Sequence, residues 1–195
     1  MFTGIVQAVG QIVRVAPLEQ GVRLEIDSGA LGVSDVAAGD SICVQGACLT
    51  ATTLNGKRFT ADVSQETLSC TAGLGTPGRV NLEKAMRLGD ALGGHLVTGH
   101  IDGVGEVVSV EPAGASKRLR VRAPRETARY VARKGSVTVD GVSLTVNRVE
   151  GDAFEVNLIP HTLEVTTLSR LGPGARVNLE VDLLARYIER LLESR

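Results

Sequence analysis

The sequence predicts an all-β protein of two similar small antiparallel barrels, produced by internal duplication and followed by a C-terminal amphipathic helix. Three observations carry this reading. The stretch "FTGIVQAVGQIVRV" at Phe2–Val15 returns as "VTGHIDGVGEVVSV" at Val97–Val110, with Thr98, Gly99, Val104 and Gly105 each 95 residues after Thr3, Gly4, Val9 and Gly10. The same offset of 95 relates "SICVQGACLT" (Ser41–Thr50) to "SVTVDGVSLT" (Ser136–Thr145) and Phe59 to Phe154. After a two-residue insertion, "RVNLE" at Arg79–Glu83 recurs at Arg176–Glu180. Two long, ordered copies mark a duplicated domain rather than a solenoid, which stacks several short units. Within each copy, apolar residues recur with period two between Gly, Asn and Asp signals. Many short strands at even spacing favour a closed barrel, which leaves no exposed edges.

In chain order, "GIVQAVGQIVRV", "VRLEID", "SICVQ", "FTADV" and "GRVNLE" read as strands of the first copy. The Asn55-Gly56 pair in "LNGKRF" signals a hairpin. Each copy is expected to hold one short helix. In the second it is "PRETARYVARKG", with Pro124 in the first turn, Arg133-Lys134 in the last and Gly135 as the left-handed stop. The corresponding slot of the first copy is "GALGVSDVAAG", Gly29 to Gly39, a poorer helix by propensity. The copies divide the chain into residues 1–91 and 92–183, across a Gly-bearing junction near Ala85–Gly94. Residues 184–195 form the terminal helix, with Leu184, Ile188, Leu191 and Leu192 on one side and Arg186 and Glu189 on the other. That helix either caps its own domain or packs against its counterparts in other subunits.

Composition narrows the function classes. The 195 residues are 43% hydrophobic, enough for a buried core. A formal net charge of −1 gives no general attraction to nucleic acid or acidic membranes. Aromatics are only 3%, with no Trp, so stacking platforms for single strands are scarce. Three cysteines, Cys43, Cys48 and Cys70, make no disulfide framework and suggest a reducing compartment. The N-terminus reads as a strand rather than a signal peptide, and no stretch is long and apolar enough to span a bilayer; a soluble cytoplasmic protein is expected. His95, His100 and His161 lack paired ligand spacing with the cysteines, so no metal is expected. Phosphate loops, nucleophile elbows and dinucleotide fingerprints are absent from the sequence.

The local chemistry concentrates in "QGACLT" and "DGVSLT", where Cys48 and Ser143 are equivalent. Both offer a small side chain with a donor and an acceptor. Taken alone, the motif favours hairpin turns at Gly46 and Gly141 with Cys48 and Ser143 as structural neighbours. The residues by themselves lead to a duplicated barrel with two equivalent, Gly-lined sites.

The segments "MFTGIVQ", "GACLTA", "GGHLVTGHIDG", "DGVSLTV" and "IPHTLEVTTL" together resemble riboflavin synthase, over nearly the whole chain and in the family's order. The resemblance implies six-stranded Greek-key barrels and a homotrimer. The implied reaction turns two molecules of 6,7-dimethyl-8-ribityllumazine into riboflavin and 5-amino-6-ribitylaminouracil by transfer of a four-carbon unit, without a cofactor. It implies an active site between the first barrel of one subunit and the second barrel of a neighbour, and it allows an association with lumazine synthase. Carried over by position, the lumazine contacts of the first barrel are Gly4, Ile5, Val6, Ser41, Cys48, Leu49, Thr50, Asp62, Val63, Ser64, Gln65, Glu66 and Thr67. Those of the second are Gly99, His100, Ile101, Lys134, Ser143, Leu144, Thr145, Leu158, Ile159, Pro160, His161, Thr162 and Leu163. Ser143, Cys48, His100 and Asp182 are implied to lie nearest the chemistry. Two rivals share the barrel: a lumazine protein that binds one chromophore as an antenna, and a flavin-binding barrel from a reductase, which needs a nucleotide-binding domain for which the two barrels leave no room.

Overall fold

A computed structural model describes residues 1–193, so the last two positions of the expected 184–195 helix lie outside the described residues. The first copy forms β1 (Ala8–Leu18), β2 (Gly21–Asp27), β3 (Ser41–Val44), β4 (Ala47–Asn55), β5 (Arg58–Ser64), a short helix α1 (Gln65–Cys70) and β6 (Gly78–Lys84). The second forms β7 (Gly103–Ala113), β8 (Ser116–Arg122), α2 (Arg125–Ala128), β9 (Ser136–Val139), β10 (Val142–Glu150), β11 (Ala153–Leu158), α3 (Pro160–Val165) and β12 (Arg176–Val181). The terminal helix α4 spans Leu183–Glu193. Both sheets close, in the order β1-β2-β5-β4-β3-β6 and the equivalent β7-β8-β11-β10-β9-β12. Every neighbouring pair is antiparallel.

Period two decides which side chains fill the barrels. Ala47, Leu49 and Ala51 of β4 point inward, as do Val142, Leu144 and Val146 of β10. Phe59 and Phe154 are each 1% exposed at equivalent places in the two cores. Truncating either to Ala would cost about 3–5 kcal/mol. A small barrel must bend its strands sharply, and the bends repeat with the sequence. Register shifts fall between Ile12 and Arg14 and between Ala51 and Thr53, and again between Val107 and Ser109 and between Val146 and Arg148.

The hairpins agree with the turn chemistry. Gln45-Gly46 (φ 50° and 91°) and Asp140-Gly141 (φ 50° and 79°) place two successive residues at positive φ, the condition for the tight turn whose twist matches the strands. The Asn55-Gly56 hairpin also forms. Asn55 pairs with Arg58, so the turn itself is Gly56-Lys57, one position later than expected.

The helix slots differ from expectation. Residues 29–39 are turns, not helix, because Gly29, Gly32 and Gly39 all take positive φ and because Leu31 and Val33 plug the first barrel's core. In the corresponding slot of the second copy, 124–135, helix is confined to Arg125–Ala128. Val131 then enters the core, and the left-handed stop is Lys134 (φ 69°) rather than Gly135. Each barrel does carry a short helix after its fifth strand, α1 and α3. Neither buries a side chain, so no apolar period announces it. Its signals are local: Ser64 caps α1 by accepting from the Thr67 amide at 3.1 Å, and Pro160 opens α3.

The two barrels meet across a pseudo-twofold axis on which equivalent residues face each other. Phe2 and Val97 exchange backbone hydrogen bonds of 2.8 and 3.1 Å. A Cβ added to Gly46 would lie 2.9 Å from the Gly141 nitrogen, so the two turns touch through glycine. Asn81 Nδ2 donates to the Asp140 carbonyl at 2.9 Å, and Asn178 Nδ2 donates to the Gln45 carbonyl at 2.8 Å.

The polar face of α4 docks on its own chain. Arg186 Nη2 donates to the His100 carbonyl at 2.8 Å and to Asp102 Oδ2 at 2.9 Å, while Glu189 accepts from Arg129 and the Tyr130 hydroxyl. Leu184, Tyr187, Ile188, Leu191 and Leu192 are all more than half exposed on the opposite face. Among the described residues, no helix is long and apolar enough to cross a membrane.

Candidate active site

The segments ahead of the two barrels each straddle both of them. Glu83 of β6 accepts from the Thr3 amide (2.7 Å), the Thr3 hydroxyl (2.6 Å) and the Gly4 amide (3.0 Å). Glu180 of β12 repeats this with Thr98 and Gly99 at 2.7, 2.6 and 2.8 Å. Hydrogen bonds to a buried carboxylate are among the stronger ones, about 1.5–3 kcal/mol each. Burial pushes the Glu83 carboxyl up, against the pull of the Thr3 and Gly4 donors. The other edge of each segment reaches the opposite barrel. The Gly4 carbonyl accepts from the Ser143 amide at 2.7 Å, and the Gly99 carbonyl from the Cys48 amide at 2.8 Å.

In sequence, Gly4, Ile5 and Val6 belong to the first copy with Cys48, and Gly99, His100 and Ile101 to the second with Ser143. The structure exchanges them: Val6 packs on the second core and Ile101 on the first. The cause is the antiparallel Phe2–Val97 bridge, which sends the two segments past each other. Glycine is required at the crossing points. Gly4 (φ 75°) and Gly99 (φ 76°) are left-handed, and a Cβ on either would fall 2.6 Å from the Cβ of Ser143 or Cys48.

Around Cys48 this leaves an open cleft of ≈ 250 Å³, lined by Cys48, Glu66, Thr67, Cys70 and the Gly99-His100-Ile101 segment. Thr50 lies on the same outward face of β4, whereas the side chains of Leu49 and Val63 belong to the core and leave only backbone to the surface. Asp62 is already engaged. Arg23 binds both its oxygens at 2.7 and 2.8 Å and holds its carboxyl below the usual carboxylate range. Ser64 is committed to capping, and Gln65 is exposed at the start of α1. Ser41 faces a separate polar cleft of ≈ 340 Å³ with Gln7 and Lys84 and does not reach Cys48's.

The Ser143 site is built differently. His95, only 8% exposed, places Nδ1 2.7 Å from the Ser143 hydroxyl. Burial lowers the His95 pKa, and the nearby charges of Asp182 and Glu180 oppose that without reversing it. Asp182 also caps α4, accepting from the Leu184 amide at 3.1 Å. Its counterpart in the first copy is Ala85, and the counterpart of Lys134 is Gly39. Leu144 and Leu158 are core residues, and Leu163 packs against that core. Thr145 is exposed on β10, Ile159 precedes α3, and Pro160, His161 and Thr162 form its first turn. Within one chain, then, Cys48 and His100 share one cleft, while Ser143 is paired with His95 at the other crossing, within reach of the Asp182 charge. The sequence offers His95 only as a rejected metal ligand; the signal for its place is the "GGH" run, in which Gly94 abuts Ser143.

Residues 3–85 and 98–182 each match the lumazine binding domain. Riboflavin synthase from Mycobacterium bovis is 49% identical over 201 residues, covering 100% of this chain and 99% of its own length. The Photobacterium phosphoreum riboflavin synthase is 46% identical over 194 residues, covering 98% and 89%. This chain belongs to the riboflavin synthase family. The crystal structure of LumP complexed with riboflavin is similar at a TM-score of 0.83 and 27% identity, covering 93% of this chain and 99% of that one. This member of the family builds two unlike faces on one repeated frame: a thiol under Gly99 and a hydroxyl under Gly4.

Proposed function

We propose that the chain is a transferase that converts two molecules of 6,7-dimethyl-8-ribityllumazine into riboflavin and 5-amino-6-ribitylaminouracil, one lumazine giving a four-carbon unit to the other. The observation that carries this reading is the pair of crossed sites, equivalent in backbone and different in side chain, because the reaction takes two copies of one substrate and treats them differently. Two rings held face to face react as if at high effective concentration. Outward groups on β4, β10, α1 and α3 suit the ribityl chains, and strand backbone suits the pyrimidine edges. Ser143, Cys48, His100 and Asp182 are proposed to stand nearest the reacting carbons. The C7 methyl of lumazine is acidic, so the protein's task is to orient the rings, stabilise the resulting anion and move protons.

Cys48 and His100 line one cleft while Ser143 lies at the other crossing of the same chain, which supports a composite site joining the first barrel of one subunit to the second barrel of another. The exposed apolar stripe of α4 suits the seam of a homotrimer. The proposed division is residues 1–91, 92–183 and 184–195, the last a trimerisation helix, in a cytoplasmic protein able to associate with lumazine synthase. Incubating the protein with dimethylribityllumazine and following riboflavin fluorescence tests the activity. One riboflavin per two lumazines consumed is expected. Stoichiometric binding without conversion identifies an antenna protein instead.

A further inference from the structure

We infer that His95 is a positioning residue that turns the Ser143 hydroxyl into a fixed hydrogen-bond donor toward bound lumazine. The inference rests on the proposed placement of Ser143 at the substrate and adds the residue that sets its polarity. His95 is buried, its Nδ1 is 2.7 Å from Ser143 Oγ, and its Nε2 has no hydrogen-bond partner among the described residues. Burial lowers the His95 pKa and so favours the neutral ring, in which one nitrogen carries a proton and the other a lone pair. Were the proton on Nε2, a buried N–H would be left unsatisfied, the rarer and costlier of the two defects. The proton therefore sits on Nδ1 and is donated to Ser143 Oγ. With its oxygen accepting, the Ser143 hydroxyl directs its own proton outward. Such a donor suits the anion formed when the lumazine methyl loses a proton, and one fixed beforehand needs no reorganisation during reaction.

The backbone is shaped for this contact. A Cβ on Gly94 would fall 2.9 Å from Ser143 Oγ and 2.1 Å from the Thr3 carbonyl, so only glycine lets the loop lie on Ser143. No hydrogen bond to the Cys48 thiol is found among the described residues, so the device belongs to the second site alone. That difference distinguishes two binding faces that otherwise share a backbone.

The experiment combines spectroscopy with kinetics on the full chain. Long-range ¹H–¹⁵N spectra of histidine-labelled protein should show His95 protonated at Nδ1 and bare at Nε2, with the Nδ1 signal shifted in Ser143→Ala. A ring protonated at Nε2 overturns the inference, whatever the activity. In turnover, His95→Asn, whose amide reaches the place of Nδ1, should keep kcat within about fivefold. His95→Gln, whose amide reaches the place of Nε2, should lose about 10²-fold in kcat with KM nearly unchanged, as for a lost transition-state donor. In a Ser143→Ala background, the His95→Gln loss should vanish; a loss that persists there means a structural role and overturns the inference. If Ser143→Ala itself turns over normally, the placement of Ser143 at the substrate fails, while the spectra still decide the tautomer.

Discussion

Asn81 in the first barrel and Asn178 in the second perform one task from opposite sides of the pseudo-axis. Asn81 donates to the Asp140 carbonyl and accepts from the Thr167 amide at 2.8 Å; Asn178 donates to the Gln45 carbonyl and accepts from the Ala72 amide at 2.6 Å. Both are buried, at 2% and 0% exposure. Replacing either by Ala strands backbone partners in the barrel interface. Asn81→Ala should lower stability by about 1–3 kcal/mol, measured by urea unfolding. An effect below a few tenths of a kcal/mol would show that water replaces the side chain freely.

Asp140 carries a pH dependence. It is fully enclosed, and burial raises its carboxyl to about 7, against the pull of the Asn178 amide and Gln45. The folded state therefore holds this proton more tightly than the unfolded chain, whose Asp titrates near its ordinary value. Its contribution is full below about pH 4 and is lost as pH rises through about 7. Asp140→Asn retains an acceptor for the Asn178 amide at 2.8 Å and tolerates the left-handed backbone. Relative to the parent, the variant should gain up to a few kcal/mol at pH 8 and nothing at pH 4, read from unfolding curves at both. Equal gains at both would assign the effect to backbone rather than charge.

The crossing glycine above Cys48 admits a direct test. Gly99→Ala combines a left-handed φ with a Cβ 2.6 Å from Cys48 Cβ, whereas Gly56→Ala (φ 59°) meets open space. The first should lose most riboflavin formation. The second should cost only about 1 kcal/mol of stability from backbone strain, with activity intact. Kinetics paired with thermal melts separates them.

For the seam, the expected outcome is that Ile188→Lys with Leu191→Lys yields a folded monomer by sedimentation. The stripe they occupy is exposed, and its burial in an assembly would contribute ~1.5–3 kcal/mol per side chain. Arg186→Gln, on the inward face, should leave the oligomer intact but loosen the His100 segment and weaken binding at the Cys48 cleft. If the double Lys variant remains trimeric, the stripe is not the seam.

Ser143→Ala should reduce turnover roughly 10²–10³-fold with little change in affinity, as for a lost oxyanion donor. Cys48→Ser should keep substantial activity, because the chemistry requires no thiolate step. Steady-state kinetics on both decides it. A Cys48→Ser protein that binds lumazine but does not turn over would make the thiol a nucleophile.

How much of this could be read beforehand varies with the range of the interaction. Strands, hairpins and the faces of β4 and β10 follow from period two, which is local and written twice. The helix expected over 29–39 fails because Leu31 and Val33 answer to the barrel core, and the glycines among them serve left-handed turns rather than a helix end. α1 and α3 escape notice because six-residue helices with no buried side chain have no period to detect. The exchange of the Gly4 and Gly99 segments depends on one bridge, Phe2 to Val97, between residues 95 apart, and no local pattern encodes it. His95 is visible as a residue, but its role arises only when Ser143 arrives from 48 positions away.

The contact of Gly46 with Gly141 bears on how such a protein could change over time. A position on the axis is its own neighbour: in a self-paired single barrel, any side chain introduced there would collide with its own copy, and duplication does not relieve this, since a Cβ added to either glycine would still fall 2.9–3.0 Å from the backbone of the other. Positions away from the axis are under no such restraint once the halves are written separately. Cys48 and Ser143, Ala85 and Asp182, and Gly39 and Lys134 are pairs in which the halves have parted company. A symmetric pair of identical chains would have to alter both faces at every step; joining them in one chain allows one face to be retouched while the other is left alone.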